Sequence, residues 1–257
     1  MAEHGVSALQ ALFRGEVDLV QSAPSQAFSS AQKGEKPPAL HFAQINNTDG
    51  FFIVGRTPES DFTIKNLRGH RVIVDHGGQP LHMFNYACQK AGLQLEEFEA
   101  IDAGSADEMA AAFRRGEGDY VHLQGPVPQQ LEAEGSGVVV GRVGDWVGRC
   151  AFSSLASRSD WLESDAARRF MRAFRRARQW VNEVPAAEVA ASEIAYFPDV
   201  SVEVLAETIG AYQALGCWLG QVEITPDQIA VSADVFRLGG VITGNIDPAL
   251  VAVSPPG

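Results

Sequence analysis

The residues of this chain best suited to chemistry offer binding groups and no nucleophile. Gly77-Gly78-Gln79-Pro80 stands between a β-branched run at 71–74 and a helical pattern at 81–91. Bare N–H groups at a helix start, backed by the positive end of the helix, hold an anion. The glycines let the backbone approach a ligand closely, and Gln79 and His82 can add hydrogen bonds. An ordinary strand–helix turn is the alternative for the same residues. Ser22, Ser25 and Gln26 follow another short strand pattern, with donors that serve either a helix cap or a ligand. Gln124 and Pro126 occupy a matching loop, as a contact or as a turn. Asn47 lies in Asn46-Asn47-Thr48-Asp49-Gly50 between two strand patterns, where a plain turn competes with a ligand contact. Trp146 precedes a further strand and forms either an apolar wall over a ligand or a cover for the core.

Other chemistry is absent from the pattern. His4, His41, His70, His76, His82 and His122 include no i, i+4 pair and no carboxylate at ligand spacing, so no metal site is expected. No nucleophile elbow, phosphate loop or dinucleotide fingerprint occurs, and no cofactor is expected. Cys88, Cys150 and Cys217 lack metal spacing, and Cys88 and Cys217 read as buried thiols in apolar helices. A net charge of −12 argues against nucleic acid as a partner but leaves a small anion open, since local N–H groups bind one whatever the overall charge. Arg168, Arg169, Arg172, Arg175, Arg176 and Arg178 share one helical stretch with a stripe of Phe170, Phe174, Ala177 and Val181. The stripe reads as core and the arginines as a solvated face.

The elements that position these groups come from a repeat. Arg14-Gly15-Glu16-Val17-Asp18-Leu19-Val20 and Arg115-Gly116-Glu117-Gly118-Asp119-Tyr120-Val121 share Arg, Gly, Glu, Asp and Val in register. Each follows an Ala-containing amphipathic run and leads to a proline-bearing turn, which reads as helix, glycine cap, strand and loop. Ligands of open α/β sheets sit beyond the carboxyl ends of strands, so two such units suggest two lobes that each offer a loop to a shared cleft. Strand patterns at 41–46, 51–54, 71–74, 98–102, 120–123, 138–143 and 151–156 alternate with helical runs at 81–91, 107–115 and 128–133. That order predicts βαβ units and a mostly parallel sheet to about residue 155. Helices are predicted at 160–182, 186–195, 202–215 and 226–238, with Ser159 and Thr225 as N-caps and Pro226 at the first helical position. No apolar run approaches the ~18 residues of a membrane span.

At this point a resemblance emerges. Ile64-Lys65-Asn66-Leu67-Arg68-Gly69-His70-Arg71-Val72-Ile73-Val74, then Asp75 to Pro80, a helix and Lys90-Ala91-Gly92-Leu93, resembles the second-lobe start of type II solute-binding proteins of ABC importers. In particular it is similar to the nitrate, sulfonate, taurine and thiamine-precursor binding proteins. Residues 8–20 resemble that family's "Ala-Leu-X-X-Gly-Glu-Val-Asp" strand, and Trp218-Leu219, Ile224-Thr225-Pro226 and Ala249-Leu250-Val251 its closing helices.

The resemblance implies a fold that is α/β, two-lobed and periplasmic-binding-protein-like (type II), with parallel or mixed sheets flanked by helices and a helical C-terminal third. The first lobe would comprise 1–55 plus 148–257, and the second 56–147. The implied function is the substrate-binding component of an ABC-type importer, periplasmic, without a cofactor and with a permease as partner. It would close by a hinge on a small sulfonate-, nitrate- or pyrimidine-like solute, in contact with Ser22, Ser25, Asn47, Gly77, Gly78, Gln79, His82, Gln124 and Trp146. In the family a secretion signal and a strand–helix–strand precede the helix at which this sequence opens, and the resemblance implies that they are missing here. A truncated or cytoplasmic form, a rebuilt lobe, or a homodimer that completes the lobe in trans are the expectations this raises. The alternative is an enzyme on the same scaffold, similar to a thiamine-pyrimidine synthase or a desulfinase, with His76 or His82 as reactive side chain.

Overall fold

The computed structural model describes residues 7–75 and 77–257; His76 lies outside the described residues. The chain begins with α1 (Ala8–Phe13), β1 (Leu19–Ser22), α2 (Phe28–Ala31), β2 (Leu40–Asn46), β3 (Phe51–Gly55), β4 (Arg71–Val74) and α3 (Gly78–Lys90). Next come β5 (Glu99–Asp102), α4 (Ala106–Arg114), β6 (Tyr120–Gln124), α5 (Val127–Ala133), β7 (Val138–Arg142), α6 (Val143–Val147) and β8 (Ser153–Ser157). Six helices follow: α7 (Ser159–Leu162), α8 (Asp165–Glu183), α9 (Ala186–Glu193), α10 (Val202–Leu215), α11 (Pro226–Leu238) and α12 (Pro248–Val251).

The repeated motif is one backbone device used twice. Gly15 (φ 71°) donates its N–H to Leu12 O at 3.1 Å, and Glu16 donates to Ala11 O at 3.0 Å. Gly116 (φ 85°) donates to Phe113 O at 2.9 Å, and Glu117 to Ala112 O at 3.1 Å. This bond pair is a Schellman closure, which needs a left-handed residue and therefore favours glycine. The two copies lead into β1 and β6, which lie in different sheets.

Two compact units result. The first holds the chain through Thr48, Arg149–Glu183 and Cys217–Gly257. Its sheet has the order β1-β8-β2 with both pairs antiparallel, where a parallel arrangement is predicted. Apolar runs fix which residues form strands but not their direction. Phe42, Ala43, Leu155, Met171 and Val222 form the core on one side, with Phe170 and Phe174 of α8 beside it. Leu12, Val20, Ala39 and Ala156 form a second cluster.

The second unit holds Asp49–Gly148 and Val184–Gly216. Its sheet order is β5-β4-β6-β3-β7, parallel between β4 and β5 and between β4 and β6, antiparallel on both sides of β3. Val54, Ile73, Met109, Phe113, Val121 and Leu131 fill one side of it. Residues 49–55 and 184–216, expected with the ends of the chain, pack in this unit instead. The reason is a long-range contact: Tyr212 Oη on α10 donates to Gly50 O at 3.0 Å and accepts from Gly125 N–H at 3.1 Å.

Three further expectations need correction. The predicted helix at 160–182 breaks into α7 and α8, and Arg158, not Ser159, is the cap residue of α7. Arg178 is buried, while Ala177 is exposed. Thr225, in contrast, caps α11 as expected, through a capping box with Gln228 and with Pro226 behind it. All three cysteines are buried and form no disulfide. No helix among the described residues is long and apolar enough to cross a membrane.

Candidate functional site

The carboxyl edge of the second unit's sheet is where its polar loops collect. Parallel pairing sets Val74 of β4 opposite Asp102 of β5, and Ile73 opposite Val121 of β6. The chain after β4, which opens α3, therefore leaves the same edge as Gln124-Gly125-Pro126 after β6. Antiparallel pairing sets Phe51 opposite Gln124 and brings Asp49-Gly50 to that edge as well. Gly77, Gly78, Gln79 and Gln124 are thus brought together by strand register.

The start of α3 differs from an ordinary capped helix. Gly77 is the N-cap, in an extended conformation (φ −178°, ψ 179°), and no side chain caps the helix. Gly78 has φ 66°, and a β-carbon at Gly77 would meet nothing within 4 Å. First-turn N–H groups of a helix have no intrahelical acceptor, so the start of the 13-residue α3 carries donors and a positive dipole end. One donor is already engaged: Gly77 N–H donates to Asp75 Oδ1 at 3.1 Å. His82 is half-buried one turn on, and burial pushes its pKa below the usual histidine range. Gln124 is exposed.

The first unit has a corresponding edge. Ser22 pairs with Ser154 and Asn46 with Ser153, so β1 and β2 end at the same edge, on either side of β8. Ser25 follows in a 3-10 turn, half-buried. Asn47 is buried: its Nδ2 donates to Leu219 O at 2.6 Å, its Oδ1 accepts from Arg149 Nη1, and its N–H donates to Cys217 O at 3.0 Å. Both amide ends thus hold chain segments of their own unit. Trp146, on α6, packs on Phe62 with centroids 6.0 Å apart and lies over Gly141, beside a depression of about 330 Å³.

Several notable groups are missed by sequence reasoning. Asp49 is fully buried, its Oδ1 accepting from Phe51 N–H at 2.7 Å while Oδ2 has no partner. Burial raises its pKa to about 7, against the pull of that bond. His122 lies between the tilted rings of Phe51 at 4.7 Å and Phe84 at 4.9 Å, both ring nitrogens unpartnered, and burial lowers it to about 3. Nothing in a turn-like Asn-Asn-Thr-Asp-Gly marks Asp49 as buried. Arg178 had a signal: Ala167, Met171, Phe174 and 178 continue one helical stripe. No group of three or more metal-binding side chains occurs among the described residues.

Comparison with known proteins places this geometry. Residues 2–188 match the family described as NMT1/THI5 like. The chain belongs to that family. A curated relative, the putative binding protein YtlA of Bacillus subtilis (strain 168), is 28% identical over 185 residues. The match covers 70% of this NMT1/THI5-like chain and 55% of YtlA, so the chain spans about half the length of that relative. The ligand-binding component of an ABC-type import system from Staphylococcus aureus, solved with zinc bound, superposes with a TM-score of 0.69 at 17% identity. That match covers 95% of this chain and 82% of the other. The alkanesulfonate-binding protein SsuA from Xanthomonas axonopodis pv. citri, bound to MOPS, gives 0.68 at 17%, covering 96% and 83%. The fold is therefore the α/β fold of the periplasmic binding proteins.

Proposed function

We propose that this NMT1/THI5-like chain is the solute-binding component of an ABC-type importer and takes a small oxyanionic solute, a sulfonate first among them. It works outside the cytoplasmic membrane and hands its solute to a permease. The observation that carries the reading is the Gly77-Gly78 turn. It opens α3 at the carboxyl edge of the sheet, beside the end of β6, without a side-chain cap. Gly78 N–H, Gln79 and the dipole of α3 hold the anionic group, and Gln124 lies on the rim. Two or three charge-assisted hydrogen bonds of about 1.5–3 kcal/mol each support micromolar affinity once the losses on binding are subtracted. No bond forms or breaks; the solute shifts the population toward the arrangement that binds it best.

The structure selects the variant that tests this. Gly78→Val would force a β-branched residue into a left-handed conformation and strain the turn itself. Gly77→Val fits the extended backbone and adds its methyl groups where nothing else stands. Titration calorimetry with methanesulfonate and MOPS should give micromolar binding by the unaltered chain and at least tenfold weaker binding by Gly77→Val, at unchanged melting temperature. Equal binding by the two proteins would remove the anion from α3.

A further inference from the structure

A separate cluster of charge lies in the first unit, where the chain passes between units. The crossings fall at 48/49, 148/149, 183/184 and 216/217. Two adjoining depressions, of about 550 and 380 Å³, share Leu219 to Gln221 and Glu223 and are lined by Asn47, Arg149, Arg178 and Asn182. Each of the four crossings thus has a lining residue within three positions of it.

Arg178 is the unusual member, 6% exposed on α8. Its Nη1 donates to Gln44 O at 3.1 Å and Ile45 O at 2.7 Å, its Nη2 to Leu219 O at 3.5 Å, and its Nε is buried without a partner. Carbonyl oxygens satisfy donors but bring no net negative charge, and a buried guanidinium without a counter-charge is costly. Arg149, another guanidinium, raises that cost: its repulsion adds to the desolvation that lowers Arg178 to about 10. Glu223 lies 3.9 Å from Arg175, and Glu183 accepts from Gln179 at 2.9 Å, so the carboxylates lining the depressions have partners of their own. Of the five N–H donors of a guanidinium, Arg178 directs three to carbonyls.

We propose that the depression beside Arg149 and Arg178 is a second anion site, which takes a small oxyanion such as sulfate, phosphate or a carboxylate. Guanidiniums are suited to that chemistry because their planar forks match oxyanion geometry. The bound anion supplies the charge that Arg178 lacks and ties together the segments that flank all four crossings.

The test uses the full chain and sodium sulfate, compared with sodium chloride at matched ionic strength. Thermal unfolding should show a rise that follows ln(1 + [sulfate]/Kd) and reaches about 3–5 °C at about ten times the Kd. Because Arg178→Met risks misfolding, the variant is Arg149→Gln at an exposed position, with Arg172→Gln as control. The rise should vanish in Arg149→Gln and persist in Arg172→Gln and in Gly77→Val. A rise lost in Gly77→Val but kept in Arg149→Gln would overturn the proposal and assign the sulfate to α3. A rise linear in sulfate and equal in every protein would be general salt exclusion and would overturn it too.

Discussion

Replacement of Asp49 by Asn should change how stability depends on pH more than it changes stability at any one pH. In the folded chain the Asp49 carboxyl is fully buried with Oδ2 unpartnered and titrates near 7, against 3.8 for the free group. A raised carboxyl pKa contributes stability that is fully present below the unfolded value and is lost as pH rises through the folded one. At about 1.36 kcal/mol per pH unit over roughly three units, the loss is on the order of 4 kcal/mol by pH 7. Two histidines act in the opposite sense. Burial lowers His41 to about 4 and His122 to about 3, from 6.5. Their stability is present above 6.5 and is lost as pH falls toward those values. Between pH 4 and 6.5 the two histidines outweigh the carboxyl, so the unaltered chain gains stability with pH. Between 6.5 and 7 it loses a little, as the carboxyl alone still titrates. In Asp49→Asn the amide oxygen keeps the bond from Phe51 N–H, and the opposing contribution is gone. Urea unfolding followed by tryptophan fluorescence at half-unit steps from pH 4 to 8 should show the variant gaining on the unaltered chain by about 4 kcal/mol up to pH 7, then running parallel to it. A difference that stays constant across this range, or one that shrinks, would refute the assignment of a buried, neutral Asp49.

Tyr212→Phe removes the donor to Gly50 O and the acceptor for Gly125 N–H together, and should lower stability by about 2 kcal/mol in urea titration. Gly116→Ala meets no neighbouring atom but forces φ 85° on a residue with a β-carbon, and should lower the urea midpoint by the equivalent of about 1 kcal/mol. Thr225→Ala breaks the capping box of α11 and should destabilise by about 1 kcal/mol, read by the same titration.

The local grammar of the chain was legible; its long-range directions were not. The strands at 71–74 and the helices at 202–215 and 226–238 end where caps and turn residues place them. Gly15 and Gly116 mark their Schellman closures because one backbone geometry demands one residue type. Strand direction is different, since Phe51–Gly55 is buried throughout and reads alike parallel or antiparallel. The placement of 184–216 depends on hydrogen bonds from Tyr212 to residues 87 and 162 positions away, which no local pattern encodes. Within the candidate site, the glycine turn was legible from composition. The engagement of Asn47 with Arg149 and Leu219, and the bond from Gly77 to Asp75, exist only in the packed chain.

The most direct measurement is a calorimetric titration of the unaltered chain and of Gly77→Val with methanesulfonate under identical conditions. The account predicts micromolar binding that falls at least tenfold in the variant, with the melting temperatures of the two unliganded proteins alike. Undiminished affinity in Gly77→Val would contradict it, because the anion would then be held somewhere other than the start of α3.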